Sequence, residues 1–399
     1  MKRKECRACK SKNLKLFLDL GKMPLAGGFL KGSDAIPFEK VYPLPVYVCQ
    51  ECSLVQILEI IDPEILFQDY SFSSSTVKPL VQHFKEYAIW LKSKFNPEFV
   101  VEFGCNDGVL LKQFEHLGIK NCGIDVSENI TELARNDGLD VISGYFDEST
   151  AKSIKKRLGM ADMVTGSNAF AHNDNPDILI KAASCILKHE GHLCLEVMYA
   201  GDLLEMLQWD TLYHEHLNFY CLKTITVLLN DYGFHVIDAE RIPMHGGSLR
   251  IVATRDSKQK AQTSVSKLLK YESEKSLSDP ETWINFGQDI GRKIEVVRKT
   301  MSQLSKNNRI WGYGAAGKAT LWVNACQMDY LEAMVDASPL RAGKLMPGTH
   351  TPIVFPDELK ANPPDYIFVT AWNYADTIKS NEEWFNGVWV TPLPDLRFF

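Results

Sequence analysis

Four cysteines stand near the start of the chain in two pairs, Cys6-x-x-Cys9 and Cys49-x-x-Cys52, with 39 residues between them. Two such knuckles supply four thiolates, which hold one tetrahedral Zn²⁺ and leave it no open position, so the metal they specify is structural. Two unrelated buried or redox pairs are the other reading. Cys105, Cys122, Cys185, Cys194, Cys221 and Cys326 stand singly and read as small buried hydrophobes. Cys105 differs in lying inside a glycine-bounded loop. The densest polar cluster is Tyr213-His214-Glu215-His216. It offers a general base, an orienting carboxylate and a phenol donor. His214 and His216 are two apart and share a side if the stretch is extended. The helical H-E-x-x-H spacing is absent, which weakens a metal reading and leaves acid–base chemistry or plain loop polarity.

Two glycine loops add ligand chemistry. In Glu102-Phe103-Gly104-Cys105-Asn106-Asp107-Gly108 a strand runs into a turn and a helix, and Asp125 follows 21 residues after Gly104, where an acid can accept from ribose hydroxyls. The third glycine of a dinucleotide fingerprint is missing. Glu102 and Asp107 would repel a pyrophosphate but suit a cationic sulfonium, so S-adenosylmethionine (SAM) fits the charges better than NAD. Asn168, Phe170 and His172 follow the next strand at the same edge, and His245-Gly246-Gly247-Ser248 is a further turn bearing a His. The second loop, Gly312-Tyr313-Gly314-Ala315-Ala316-Gly317-Lys318, is a full G-x-G-x-x-G with Asp336 19 residues after Gly317. Alone it reads as a dinucleotide site, as a diphosphate site at a helix N-terminus with Lys318 as counter-charge, or as packing glycines. Trp372 and Asn373 follow a later strand and are candidates to face a base or sugar.

The elements that position these residues follow an α/β pattern. Residues 1 to about 60 are short strands and turns with little room for a core, a size that needs a staple. Residues 63–96 read as mostly helical. From Phe99, buried strands at Phe99–Gly104, Asn121–Val126, Met163–Ser167 and His192–Tyr199 alternate with helices, which predicts a parallel sheet covered on both faces. Phe234–Ile242 and Leu249–Thr254 close that unit. Residues 255–308 read as a charged helical connector, and a second α/β unit opens at Arg309. The boundaries expected are 1–75, 76–255 and 256–399.

Composition narrows the classes further. The 399 residues are enough for two or three domains at about 150 residues each. Hydrophobic residues at 45% and charged residues at 24% exclude a disordered chain. A net charge of −6 argues against nucleic acid or an anionic membrane as partner. No apolar run approaches the roughly 20 residues of a membrane span. No apolar h-region follows Lys2-Arg3-Lys4, so the expectation is a cytoplasmic chain with reduced cysteines.

Together the motifs resemble the three-domain SAM-dependent C-methyltransferases of nucleotide-linked deoxysugars. The resemblance rests on the two cysteine pairs; Asp19-Leu20-Gly21-x-x-Pro24-Leu25-Ala26; Glu102 to Gly108; Asn168-Ala169-Phe170-Ala171-His172; Asp210-x-x-Tyr213-His214-Glu215-His216; His245-Gly246-Gly247-Ser248-Leu249-Arg250; Gly312 to Lys318; and Pro347-Gly348-Thr349 with Ala371-Trp372-Asn373. It implies a zinc-binding domain, a central class I SAM domain and a C-terminal Rossmann-like domain that helps to hold a nucleotide sugar. The implied substrate is a 4-keto-6-deoxy sugar nucleotide methylated at C3, or at C5 in some relatives. His216 would be the base, with Tyr213, Glu215 and His214 beside it. Glu102, Gly104, Asn106, Asp107, Asp125, Asn168 and Phe170 would hold SAM. Tyr70, His172, Glu196, His245, Tyr313, Lys318, Trp372 and Asn373 would hold the sugar nucleotide, in a monomer or weak homo-oligomer. Relatives often carry Tyr-Arg-Ser where this chain has Phe72-Ser73-Ser74, leaving Tyr70 as the nearest phenol.

The implied chemistry is coherent. A ring carbon becomes a nucleophile once a neighbouring ketone acidifies its C–H and a base removes the proton, and the resulting enolate oxygen needs a donor. An NAD-dependent sugar-nucleotide oxidoreductase, a zinc-ribbon nucleic-acid methyltransferase and a non-catalytic sugar-nucleotide binder remain as other readings.

Overall fold

The structure, a computed structural model, describes residues 2–67, 70 and 72–399. Three antiparallel strands, β1 (Leu14–Pro24), β2 (Val41–Cys49) and β3 (Val55–Ile57), follow the first cysteine pair. The turns that end this sheet bring Cys6, Cys9, Cys49 and Cys52 together, with all four sulfurs within 4.8 Å of one another. That spacing matches four thiolates at bond lengths of about 2.3 Å around one zinc. Of residues 63–96, Pro63–Phe67 and Lys78–Phe95 are α-helical, with a 3₁₀ turn at Ser74–Thr76; residues 68, 69 and 71 lie outside the described residues. The longer helix buries Leu80, Phe84, Tyr87, Ala88 and Leu91 on one face and stops at Asn96, whose φ of 45° makes a left-handed cap.

The central sheet contains β4 (Phe99–Phe103), β5 (Lys120–Asp125), β6 (Val141–Ser143), β7 (Ala161–Ser167) and β8 (Leu187–Met198). A two-residue strand, β9 (Asn218–Phe219), leaves this unit to pair with β3, and β10 (His235–Ile242) and β11 (Ser248–Thr254) complete the sheet. The order is β10-β11-β8-β7-β4-β5-β6, parallel except for β11, which lies antiparallel to both neighbours. Every residue of β4 is buried, as a strand covered by helices on both faces requires. The third sheet holds β12 (Ile310–Tyr313), β13 (Met334–Val335), β14 (Ile353–Val354), β15 (Tyr366–Val369), β16 (Val388–Thr391) and β17 (Arg397–Phe398). Its order is β14-β13-β12-β15-β16-β17, parallel up to the last strand. Both glycine loops leave a central strand, β4 or β12, at the point where strand order reverses, the crevice where doubly wound sheets bind ligands.

Residues 255–308 differ from a free connector. The helix Pro280–Leu304 buries Trp283, Phe286, Ile290, Val297 and Met301. Phe17 of β1 packs on Trp283 and Phe286 at 5.5 and 6.1 Å. At Gly287 a Cβ would stand 1.9 Å from the Phe17 carbonyl, so this glycine lets helix and strand touch. The charged residues cover the outer face of a helix whose inner face joins the zinc-binding sheet to the rest.

Candidate active site

One cavity of about 870 Å³ is lined by residues from the zinc-binding, central and C-terminal units. Its first end is the loop after β4. Gly104 has φ 65°, and a Cβ there would stand 2.2 Å from the Ala169 methyl. Asn106, at φ 50°, donates its N–H to Asp125 Oδ2 at 2.9 Å, and Ser127 N–H donates to Oδ1 at 2.9 Å. Burial raises the Asp125 carboxyl above its usual range. Asn168, at φ 57°, closes this end, and its buried Oδ1 has no partner. A backbone cradle, an acid at the second strand and an orphaned carbonyl oxygen fit SAM. Asp125 can accept from ribose hydroxyls and Asn168 Oδ1 from an ammonium group.

Three residues expected here do not reach the cavity. Glu102 is sealed within the sheet with Oε2 unpartnered, and burial holds its carboxyl well above the usual range. Asp107 turns to the preceding segment, where Oδ2 accepts from the Ser73 hydroxyl at 2.5 Å and the Ser75 N–H at 3.0 Å. Phe170 packs on Tyr220 in the core. The charge argument for a sulfonium, made on Glu102 and Asp107, therefore fails, and Asp125 is the acid of the three that lines the cavity.

The middle of the cavity is built by the turn after Trp209–Thr211. The turn is not extended, so the two histidines diverge. His214 is buried, its Nε2 on the Pro43 carbonyl at 3.1 Å, and it does not enter the cavity. His216 does. Its Nδ1 lies 2.8 Å from the Thr211 carbonyl, and His172 Nδ1 lies 2.7 Å from the Glu215 carbonyl. A carbonyl only accepts, so each Nδ1 carries the proton and each Nε2 keeps a lone pair. The two rings are 5.0 Å apart, and Tyr213 lies 3.9 Å from His216. Burial lowers the pKa of both imidazoles, that of His216 furthest. Burial also pushes Glu215 up to about 7, against the N–H of Gly27 that it accepts, and holds Tyr213 well above 10. Tyr70 lines the same wall with its phenol likewise raised by burial. His245, at φ 54° and followed by two glycines also at positive φ, reaches the cavity, and burial lowers it to about 4.

The far end is the loop after β12. Gly314, at φ 96°, approaches Ala371, and Gly317 approaches Tyr213 and Ala26, where a Cβ would stand 3.2 and 3.4 Å away. The helix N-terminus is thus approached by the central and zinc-binding units. Lys318 Nζ donates to Asn373 Oδ1 at 3.1 Å, and both residues line the cavity. Arg341, which sequence reasoning missed, also lines it, 3.3 Å from Asp336. It comes from an irregular loop five residues past Asp336, and no spacing rule marks it.

Tyr313, Trp372 and Glu196 do not line the cavity. The Tyr313 hydroxyl donates to Glu382 at 3.0 Å. The Trp372 indole donates to Asp210 Oδ2 at 2.8 Å, and Trp322 donates to the same oxygen at 3.0 Å. Glu196 is buried between Arg250, whose Nε and Nη2 donate to Oε1 at 2.9 and 2.7 Å, and His83 at 2.9 Å from Oε2. Arg250 and Glu196 are cross-strand partners of β11 and β8. Their pair anchors the strand end whose carbonyl accepts the Asn168 N–H at 2.7 Å.

This geometry defines a methyltransferase: a class I sheet with a cofactor cradle, joined through one cavity to an acid–base cluster and a second nucleotide-type loop. Family comparison agrees. A zinc binding domain model matches residues 6–67, a methyltransferase domain model residues 79–239, and a C-methyltransferase C-terminal domain model residues 243–394. The chain is 29% identical over 403 residues to the C-methyltransferase NovU of Streptomyces niveus, covering 98% of this chain and 96% of that one. It is 29% identical over 101 residues to a ubiquinone biosynthesis O-methyltransferase of Xanthomonas oryzae, covering 25% of this chain and 42% of that one. Among solved structures, the magnesium protoporphyrin IX methyltransferase of Synechocystis PCC 6803 matches with TM-score 0.34 and 17% identity, over 44% of this chain and 79% of that one. The chain is a SAM-dependent methyltransferase of the C-methyltransferase type, with a structural zinc domain at its front.

Proposed function

We propose that the enzyme methylates a ring carbon, C3, of a nucleotide-linked 4-keto-6-deoxy sugar, with His216 as the base. The observation that carries this is the pair of imidazoles, each with Nδ1–H pinned to a carbonyl, lying between the cofactor loop and the Gly314–Lys318 loop of one cavity. SAM supplies an electrophilic methyl group. The neutral His216 takes the C3 proton at Nε2. The enolate oxygen then needs a proton donor. His172 cannot donate in its present tautomer, whereas the Tyr213 phenol and the Glu215 carboxyl both can. His245 and Tyr70 bound the space for the sugar. Lys318 and Arg341 supply positive charge where a diphosphate would lie against the loop. Phe72 lines the cavity without a hydroxyl, with the Tyr70 ring 6.5 Å from it. The reading is tested by incubating the enzyme with SAM and a panel of 4-keto-6-deoxy sugar nucleotides and weighing the products. A gain of one methyl with one member supports it; no gain with any member overturns it.

A further inference from the structure

Arg7 lies between the first two cysteines of the four-thiolate cluster, fully buried, and methyl transfer has no use for it. Its Nη1 donates to the Ile57 carbonyl at 2.5 Å and its Nε to Asp174 Oδ1 at 2.9 Å. Arg3 adds a second guanidinium, its Nη1 donating to the Asp174 carbonyl at 2.8 Å and standing 3.3 Å from Oδ2. Asp174 follows His172 by two residues and lines the cavity. The loop between them is gripped from the other side as well. Asn218 Nδ2 donates to the carbonyls of Ala171 and Asn173 at 3.2 and 3.0 Å, and Asn218 pairs across β9 and β3 with Gln56. Gln56 in turn accepts the Arg7 N–H at 3.2 Å. The loop that carries His172 is thus fastened to the first cysteine knuckle by an ion pair and to β9, the partner strand of β3, by a buried amide.

We propose that Arg7 and Asp174 are positioning residues: the knuckle clamped by the thiolates sets the place of the His172 imidazole through their ion pair. A buried guanidinium is costly to leave unpaired, so the contact resists opening and fixes the loop rather than merely touching it. This rests on the cavity being the active site, but its readouts require no sugar substrate, so the two readings fail separately.

The test uses the full-length zinc-loaded enzyme. Asp174 is one-third exposed, so its truncation opens no core cavity, and the Arg7 guanidinium keeps its bond to the Ile57 carbonyl. In Asp174→Ala, zinc stays at one per chain and SAM affinity within twofold of wild type. Amide exchange across residues 168–175 rises about tenfold, as a locally released segment does. The His172 ring resonance then titrates closer to the roughly 6.5 of a solvated imidazole. The titratable groups around that ring, His216, His245 and Glu215 (the last through its backbone carbonyl), are unchanged. Asp174→Glu, which keeps the carboxylate, restores at least half of both changes. Unchanged exchange and titration in Asp174→Ala would overturn the proposal. So would losses that extend to zinc content and SAM affinity, or no rescue by Glu.

Discussion

In the proposed reaction His216 and Glu215 carry the chemistry because burial moves them in opposite directions. The imidazole is kept neutral and able to accept a proton, and the carboxyl is kept protonated up to about pH 7. His216→Asn therefore lowers turnover by about 10²–10⁴, the usual weight of a general base, while calorimetry finds SAM affinity unchanged. The pH profile carries a sign. Below the His216 pKa the base is charged, so activity rises as pH rises through that value. Above about 7 Glu215 ionises and loses its donated proton, so kcat/KM falls on the alkaline side. Glu215→Gln, which keeps a donor that does not titrate, removes the alkaline limb; a limb that persists takes Glu215 out of the donor role. The Y-H-E-H string was legible as a polar cluster, and Tyr213, Glu215 and His216 of it line the cavity. His214 was misplaced because alternation assumes an extended backbone, and this stretch is a turn.

At the scale of elements, the cofactor end depends on backbone that only glycine fits. Gly104→Ala combines a left-handed φ with a clash against Ala169, so SAM affinity drops by an order of magnitude or more while the other two units stay folded. Asp210 joins central and C-terminal elements through two indoles. Asp210→Ala leaves both donors unpaired in the interior, a loss of about 1–3 kcal/mol for each, read as a lower denaturant midpoint. The longer strands of the central sheet were legible because each is an apolar run between turn signals, and the closing antiparallel pair for the same reason. The short strands β6, β14 and β16 were not read. Two further features were not legible. A two-residue strand such as β9 carries no period, and Asp210 meets its tryptophans 112 and 162 residues away. Glu102 and Asp107 show the same limit: their charges are spent on burial and on the Ser73–Ser75 segment, which local sequence does not mark.

At the scale of the molecule, one cavity draws on three units of the chain. Gly27 of the zinc-binding unit touches Glu215, and the helix Pro280–Leu304 packs on β1. Zinc removal by a chelator thus lowers the melting temperature of the whole chain rather than of a detachable module; an unchanged melting curve would contradict the packed arrangement. Lys318→Ala with Arg341→Ala raises KM for the nucleotide sugar and weakens its salt dependence, with SAM affinity unchanged. Domain number and order were legible from composition shifts and the two glycine loops. Which faces meet was not, because long-range packing leaves no local period. The most direct measurement follows the carbon itself. The enzyme is incubated with methyl-labelled [¹³C]SAM and a 4-keto-6-deoxy sugar nucleotide, and the product is examined by NMR. The label is expected on the ring carbon beside the ketone, C3; label on a sugar oxygen, on the nucleotide base, or on no product would overturn C3 methylation.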